Sequence, residues 1–416
     1  MLAKNFILFL LTTAIVMLFS QAPKGAETLE ADLDAFITLP DAYRLQPADL
    51  EKMFEKGKWT RNPYFKWLRT DQTRAIFQKK DAPNLKVNLS LLGGKVPIEE
   101  MIVDFKDGTF LGVTISIFNR GDGGTIGSAE FEERRRLIGA HLGKQLDARP
   151  KTREAKPTIG LLTDGWIWIS ARGKAVLENN DEAPADIEFL RMRLARRDAE
   201  GAYEAATHAR PEATVKLSDL PEKVEREPNG DVFIDDIPMV DQGAKGYCVV
   251  ASAQRVFEHY GIPCDMHQLA QLADSDPERG TSSLEVNTQL GAIDHLFKTR
   301  FECLAVRSRG TLVELLDGKY VGETIPEDDF FEMIYENIED GIPLLWSLTV
   351  GQFEEDPPLQ EQTEGGHMRL IIGFNKKTNR IIFSDSWGAG HEKKTMNSED
   401  ALKATNGLFL LKPIFR

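Results

Sequence analysis

The stretch Gln242-Gly243-Ala244-Lys245-Gly246-Tyr247-Cys248 stands directly before an amphipathic run, and this junction decides the fold of the second half of the chain. The apolar residues that follow at helical spacing are Val249, Val250, Ala253, Val256, Phe257 and Tyr260. Gly261 and Pro263 end the predicted helix. Cys248 therefore lies at a helix N-terminus, where the dipole and the unpaired N–H groups favour a thiolate. The Gln242 side chain can point into the same space and form, with the Cys248 N–H, a two-donor oxyanion hole.

The residue that can serve as a base for this thiol is His367, which follows Gly366 and begins a predicted β-hairpin. One strand of the hairpin covers residues 367–374, and the other covers residues 380–385 and ends at Asp385. A thiol, an imidazole and a carboxylate in this order are the parts of a nucleophile, base and orienter triad.

The register of the hairpin decides whether Asp385 can reach His367. We expect Asn375 to pair with Asn379 across the turn. Asp385 then lies opposite Arg369 and diagonal to His367, on the same face of the sheet. Diagonal Cα atoms are about 7–8 Å apart, so a carboxylate and an imidazole can meet. A slip of one residue would place them on opposite faces.

Three sequence blocks resemble the papain-like cysteine peptidase superfamily: the Gln-Gly-Ala-x-Gly-x-Cys spacing, the Gly-Gly-His strand, and Asp385-Ser386-Trp387-Gly388. The resemblance covers about residues 232–416. It implies a helical lobe, headed by the Cys248 helix, packed against an antiparallel sheet that carries the histidine and the aspartate. An aspartate as the orienting residue is more similar to the bacterial branch that trims double-glycine leader peptides than to the plant enzymes, which use asparagine.

The resemblance also implies a role for each matching residue. Gln242 would build the oxyanion hole, Cys248 and His367 would form the working pair, and Asp385 would orient the histidine. Trp387 would shield the contact between His367 and Asp385 from water. We expect the substrate cleft to be lined by Trp387, Gly366 and Tyr247. The chain departs from the papain pattern at Lys245, Tyr247 and Val249, where papains have Cys, Ser and an aromatic residue.

The first half of the chain predicts a separate α+β domain over residues 27–195, joined by a polar linker at 196–231 to the papain-like domain at 232–416. The whole chain is therefore expected to be α+β. We predict a helix from Ser128 to Leu146 with Ser128 as its cap, and a helix capped by Asp49. Asp107-Gly108 predicts a hairpin turn. The strands are predicted at residues 85–92, 101–105, 110–118, 158–170 and 187–194.

Composition excludes several classes of protein. With 51 Lys and Arg against 65 Asp and Glu, the net charge is −14, which argues against nucleic acid as a partner. Three cysteines rule out a disulfide scaffold, and the sequence predicts no metal site and no cofactor. Cys264 and Cys303 are expected to be structural, either bridged to each other or buried as two thiols.

The N-terminus predicts export. Lys4 precedes an apolar run from Phe6 to Phe19, and Ser20-Gln21-Ala22 ends it, which is the pattern of a secretory signal. Pro23 disfavours cleavage after Ala22, so residues 1–26 are read as a signal peptide or a membrane anchor. We therefore expect a periplasmic, extracellular or membrane-anchored protein.

Together these features predict an exported thiol hydrolase that cleaves peptide bonds in a peptide or protein substrate. A transglutaminase-like or cell-wall amide acyltransferase can use the same triad and stays open as an alternative. A catalytically silent binding module of the same fold is the alternative from another class. For the N-terminal domain we favour substrate or partner binding over inhibition, because papain-like propeptides are mostly helical.

Overall fold

A computed structural model describes residues 26–156, 163–180, 182–207, 215–243, 246–264, 266–272, 290–291, 294–316, 319–359 and 364–414. Over these residues the chain is mixed α+β, as predicted, and its sheets are mainly antiparallel. Within the same ranges, no helix is long and apolar enough to cross a membrane. The predicted signal or anchor segment lies outside the described residues, apart from Ala26.

The first half of the chain contains mostly strands. The strands are β1 Glu27–Asp32, β2 Phe65–Trp67, β3 Arg74–Gln78, β4 Lys80–Ala82, β5 Leu85–Leu91, β6 Val96–Ile98, β7 Glu100–Lys106, β8 Thr109–Asn119, β9 Lys151–Arg153, β10 Thr163–Ser170, β11 Gly173–Asn180 and β12 Phe189–Ala195. The helices are α1 Pro47–Met53, α2 Arg120–Gly123, α3 Ser128–Leu146 and α4 Ala202–Ala206.

These strands form two sheets. The smaller one has the order β1-β5-β4 with β6 also on β5, and β1 pairs with β5 in parallel. The larger one is antiparallel with the order β2-β3-β7-β8-β12-β11-β10-β9. Helix α3 covers one face of it, where Phe131, Ile138 and Leu142 are buried in the same apolar core as Trp168 and Leu177. Burial of such side chains contributes about 1.5–3 kcal/mol each.

The helix predicted from Ser128 to Leu146 is confirmed at both ends, but its cap is not Ser128. Gly127 is the N-cap, and Ser128, the first helical residue, donates its hydroxyl to the Pro184 carbonyl instead. Asp49 is likewise not a cap. It is the third residue of α1, and its carboxylate accepts the backbone N–H of the N-cap residue Gln46 at 2.9 Å.

The Asp107-Gly108 turn is confirmed, with positive φ angles of 53° and 70°. Strand β11 was not predicted, because polar residues interrupt its apolar pattern although the whole strand is buried. The predicted linker contains more regular structure than expected. Besides α4 it forms a 3-10 helix at Leu217–Lys223 and a strand at Val224–Arg226, which pairs with the following strand.

The second half of the chain forms one large sheet with helices packed on it. Its strands are β13 Val224–Arg226, β14 Val232–Ile234, β15 Thr299–Ser308, β16 Thr311–Leu316, β17 Lys319–Thr324, β18 Leu344–Val350, β19 Glu355–Asp356, β20 Gly365–Asn375, β21 Arg380–Ser384, β22 Lys394–Asn397 and β23 Thr405–Pro413. Its helices are α5 Cys248–His259, α6 Met266–Leu272, α7 Glu327–Glu339 and α8 Ser398–Ala404.

The main path of this antiparallel sheet is β17-β16-β15-β23-β18-β20-β21-β22-β19, and β14 pairs with β20. Helix α5 packs on β20, and a single apolar core joins them. Val250 and Phe257 of the helix are buried in this core together with Trp346 and Leu370 of the sheet. The packing fixes the helix that begins at Cys248 against the strand that carries His367.

The face of the eight-stranded sheet opposite α3 is polar and lies toward the second half of the chain. One row across five strands consists of Glu178, Arg191, Ser116, Glu100 and Gln78. From this face the Arg191 guanidinium donates to the side-chain carbonyl of Gln268 on α6 at 3.2 Å.

Glu178 is the centre of a buried charge cluster on this face. Its carboxylate contacts the guanidinium groups of Arg153, Arg191 and Arg193, and all four side chains are buried. Burial alone would raise the pKa of Glu178, but the three arginines outweigh it and hold the pKa well below its usual range.

Replacing Glu178 by Gln removes the carboxylate that the three buried guanidinium groups share. We expect the free energy of unfolding to fall by about 3–5 kcal/mol, because buried charges then lose their partner. The shift would be measured as the midpoint of urea unfolding, followed by tryptophan fluorescence. Glu133→Gln, which breaks an exposed pair with Arg136, is the control and should leave the midpoint unchanged. Equal midpoints for both variants would contradict a structural role for the cluster.

Candidate active site

Cys248 is the first residue of α5, as the sequence predicted, and Tyr247 is the N-cap residue. The thiol is free and partly exposed to solvent. Two contacts hold the helix against the hairpin strands. Ser252 donates its hydroxyl to the Met368 carbonyl at 3.4 Å, and the buried Arg255 donates to the Ser384 hydroxyl at 2.5 Å.

The hairpin of β20 and β21 has the predicted register at the end near Asp385 but not at its turn. Asn375 pairs with Arg380 rather than with Asn379, which is one residue away from the expected pairing. An irregularity between Ile371 and Gly373 then shifts the register, so that Leu370 pairs with Ser384. The next positions along the two chains are Arg369 and Asp385, which therefore lie opposite each other as expected.

His367 and Asp385 are in direct contact. The Nε2 atom of His367 lies 2.6 Å from Oδ1 of Asp385, and both side chains are buried. The carboxylate is held by two further donors, the Arg369 Nε at 2.7 Å and the Ser386 backbone N–H at 3.0 Å. The Cys248 thiol also interacts electrostatically with the His367 side chain. Since Nε2 contacts the carboxylate, Nδ1 is the ring atom that remains for the thiol.

These contacts change the protonation of both groups. Burial alone would lower the pKa of His367, but the Asp385 carboxylate and Cys248 outweigh it and raise the pKa to about 9. Burial alone would raise the pKa of Asp385, but His367 and Arg369 lower it to about 2. Near neutral pH the structure therefore favours an imidazolium beside an ionised carboxylate.

Asp385 belongs to a buried network of charged side chains that was not predicted from the sequence. Arg369 binds Glu355 through two nitrogens, at 2.6 and 3.3 Å, and the Lys394 ammonium lies 2.9 Å from the same Glu355. Two carboxylates thus face one guanidinium and one ammonium, so the network is neutral without His367.

Gln242 is tied to the residue that follows Asp385. Its backbone N–H donates to the Ser386 carbonyl at 3.1 Å, and the Ser386 hydroxyl donates to its side-chain Oε1 at 2.7 Å. With Oε1 engaged in this way, the Nε2 group is the donor end of the amide. Ser386 therefore sets the orientation of Gln242. From the sequence, Ser386 was known only as part of the Asp-Ser-Trp-Gly motif.

Trp387 covers the imidazole. The two rings stack with their centroids 4.4 Å apart and an angle of 16° between their planes. The rings of His391 and Trp387 meet edge-on, with their centroids 5.5 Å apart. Burial lowers the pKa of His391. His391 also binds the site through its backbone, because its carbonyl accepts the Asp385 N–H at 2.9 Å.

The remaining residues expected to line the cleft differ in their exposure. Gly366 is exposed, and an added Cβ there would meet no atom within 4 Å. Tyr247 is only 5% exposed and packs edge-on against His267, with its hydroxyl close to Gly121. Tyr247 therefore lies between His267 of α6 and Gly121 of the first half of the chain, at the start of α5.

The disulfide considered for Cys264 and Cys303 is not formed. Both thiols are free and lie on different elements, Cys264 buried after α5 and Cys303 half-buried on β15. Burial raises the pKa of both thiols, that of Cys303 to about 12. Among the described residues, no group of three or more His, Cys, Asp or Glu is arranged to hold a metal ion.

Comparison with known proteins identifies the segment that carries this site. Residues 234–406 match the family model described as the Peptidase_C39 like family. These residues are therefore related to papain-like cysteine peptidases, and the relationship is limited to this segment.

Among solved structures, the chain is similar to that of xylellain, a cysteine protease from Xylella fastidiosa. The identity is 12% and the TM-score 0.24, and the similarity covers 48% of this chain and 91% of that chain. No curated protein matches the chain. The family match alone supports the relationship stated above.

The role of the Asp385 carboxylate can be measured on His367 itself. In Asp385→Asn, burial of the imidazole is no longer opposed by a negative charge, so we expect its pKa to fall from about 9 to below its ordinary value of 6.5. The titration can be followed by NMR of 13C-labelled histidines, with the His367 signal identified by its loss in His367→Gln.

Asp400→Asn is the control, because Asp400 lies on the surface of α8 and pairs with Lys403. It should leave the titration of His367 unchanged. A His367 midpoint that is the same in the Asp385→Asn variant and the wild type would contradict the electrostatic coupling of the two residues.

Proposed function

We propose that this protein is a cysteine peptidase in which Cys248, His367 and Asp385 form the catalytic triad. The Cys248 thiolate attacks the carbonyl carbon of a peptide bond and forms a tetrahedral oxyanion. When this intermediate collapses, the C–N bond breaks and the leaving amine takes the proton from His367. Water then attacks the thioester carbonyl while His367 accepts its proton, the C–S bond breaks, and the free acid leaves with the Cys248 thiolate and the protonated His367 restored.

The observation that carries this proposal is the buried hydrogen bond between His367 and Asp385, with the Cys248 thiol within electrostatic reach of the same imidazole. A nucleophile bonded to a base, which is in turn oriented by a carboxylate, is the arrangement that acyl transfer needs. The raised pKa of His367 adds to it, because an imidazolium stabilises the thiolate and can later protonate the leaving group.

Gln242 is proposed as one donor of the oxyanion hole and the Cys248 backbone N–H as the other. The amide of Gln242 is fixed by Ser386, which itself follows the orienting Asp385. Donors that are fixed before the reaction need no reorganisation when the oxyanion forms, and one such donor is worth about 100- to 1000-fold in rate.

We also propose that the protein is exported, which rests on the sequence of residues 1–26 alone. The experiment is cell fractionation of the full chain beside a variant that lacks residues 2–22. Export predicts that the full chain leaves the cytoplasm and that the truncated chain stays there. The same location for both would contradict it.

The nucleophile can be identified without a known substrate. Iodoacetamide at about pH 6 alkylates a thiolate, whereas a thiol of ordinary pKa near 8.5 is almost fully protonated there. Cys264 and Cys303 serve as internal controls, since burial raises the pKa of both. We expect fast labelling of Cys248 alone, located by peptide mass spectrometry, and at least about tenfold slower labelling in His367→Ala.

Peptide turnover then separates the proposal from its alternatives. On a peptide library, Cys248→Ser should abolish cleavage, because its hydroxyl is not ionised by the imidazole. The acyltransferase alternative predicts a new amide with a primary amine acceptor and little hydrolysis without it. A binding module predicts neither product, and retained cleavage in the Cys248→Ser variant would refute the assignment of the nucleophile.

A further inference from the structure

A short segment of the N-terminal half, residues 66–74, contacts the turn that carries Gln242. The Lys66 ammonium forms an ion pair with Oδ2 of Asp241, the residue before Gln242. Asp241 is 3% exposed, and its Oδ1 accepts the Gly243 N–H at 2.9 Å. Gly243 has a φ of +68°, in the left-handed region of the backbone that glycine adopts readily. The hydrogen bond to Asp241 closes the turn in this conformation.

The same segment also contacts the loop that follows Asp385. The Thr70 N–H donates to one carboxylate oxygen of Glu392 at 2.6 Å, and the Gly390 N–H donates to the other at 2.6 Å. Gly388 lies against the Trp67 backbone, since an added Cβ would be 3.8 Å from the Trp67 carbonyl oxygen. Residues 66–70 therefore lie beside both the turn of Gln242 and the loop of Trp387.

A third contact reaches the helix that begins at Cys248. Arg74 lies 3.0 Å from Glu258 on α5, and it also pairs with Asp104 of its own sheet at 3.4 Å. Leu68 is fully buried and packs in one apolar cluster with Met239, just before the turn. Residues 66–74 thus contact the turn that carries Gln242, the loop that follows Asp385 and the helix that begins at Cys248.

We propose that Lys66 is a positioning residue for the oxyanion hole and that the N-terminal half is a working part of the active site. The inference rests on the proposed function, because it assigns Lys66 a role through Gln242. Without the Lys66 ammonium, the Asp241 carboxylate loses its ion-pair partner in a buried position, which is strongly unfavourable. Asp241 then has to turn toward water, which frees the Gly243 N–H and lets the turn that carries Gln242 shift.

A small movement of this turn has a large effect on the reaction. An oxyanion donor works at 2.7–3.1 Å from the developing charge, and a misplacement of about 1 Å costs about 100-fold in rate. The imidazole is held separately from this turn by Asp385 in the hairpin, and the helix that begins at Cys248 is held on the hairpin by Ser252 and Arg255. Loss of Lys66 should therefore impair the steps that form an oxyanion and spare the reactivity of the thiolate.

Two reagents separate these steps. With p-nitrophenyl acetate, the Cys248 sulfur attacks the ester carbonyl, an oxyanion forms, and p-nitrophenolate leaves with the electron pair of the broken C–O bond. With iodoacetamide, the sulfur displaces iodide from a saturated carbon and no oxyanion forms. In Lys66→Met we expect acylation at least about tenfold slower and alkylation within about twofold of the wild type. Gln242→Ala should give the same result, slower acylation with nearly unchanged alkylation. Cys248→Ser gives the rate of each reaction that does not depend on the Cys248 thiol.

Lys79→Met is the matched control. Lys79 also belongs to the N-terminal half and is half-exposed, at 44% for its side chain against 48% for Lys66, and it pairs with a buried carboxylate, that of Glu99. It should leave both reactions unchanged. The double variant Lys66→Met/Asp241→Asn should recover most of the acylation, since Asn keeps an acceptor for the Gly243 N–H and needs no cation.

The outcomes distinguish this inference from the proposed function. Selective loss of acylation in Lys66→Met, with recovery in the double variant, supports the positioning role. Unchanged acylation, or an equal loss of acylation and alkylation, overturns it while leaving the triad intact. A wild-type protein whose Cys248 is not alkylated at about pH 6 overturns the proposed function itself, and with it this inference. Thermal unfolding of each variant confirms that the comparison is made on folded protein.

Discussion

The carboxylate of Asp385 is the group on which the rest of the site depends. It is fully buried, and its two oxygens are shared by the His367 ring, the Arg369 guanidinium and the Ser386 N–H. A buried carboxylate is stable only when it is paired and hydrogen-bonded. Each of these partners is fixed in turn, His367 by the Trp387 ring and Arg369 by Glu355. The site is therefore one connected arrangement of charges.

In the mechanism proposed above, the charge balance of this arrangement favours transfer of the thiol proton to His367. Asp385 and Glu355 are matched by Arg369 and Lys394, so the network carries no net charge of its own. Adding a proton to the adjacent His367 creates a positive charge in a site that excludes water. Removing the proton of the Cys248 thiol cancels it at short range, where Coulomb energies are large. Proton transfer from thiol to imidazole thus preserves the neutrality of the buried region.

The sequence could predict the parts of the site that local patterns determine. The helix at Cys248 follows from apolar spacing, and the pairing of Asp385 with Arg369 follows from alternation along two strands. The predicted pairing at the turn was wrong by one residue. The cause is an irregularity near Ile371, which the alternation of side chains along a strand does not reveal. The partners Glu355 and Lys394 could not be found, since each lies on a short strand and only the tertiary fold brings them to Arg369. An arginine within the otherwise apolar run of β20 was the available signal.

The contacts of residues 66–74 could not be predicted for a related physical reason. The first half of the chain was expected to be an accessory domain, because the resemblance covers only residues 232–416. The structure nevertheless buries the polar face of its eight-stranded sheet, and charged pairs such as Arg74 with Glu258 cross to the other half. Apolar surfaces can slide over one another at little cost, whereas paired charges and hydrogen bonds fix a single orientation. Under the proposed function, the turn of Gln242 holds an oxyanion donor to within a fraction of an ångström, which requires an orientation fixed in this way.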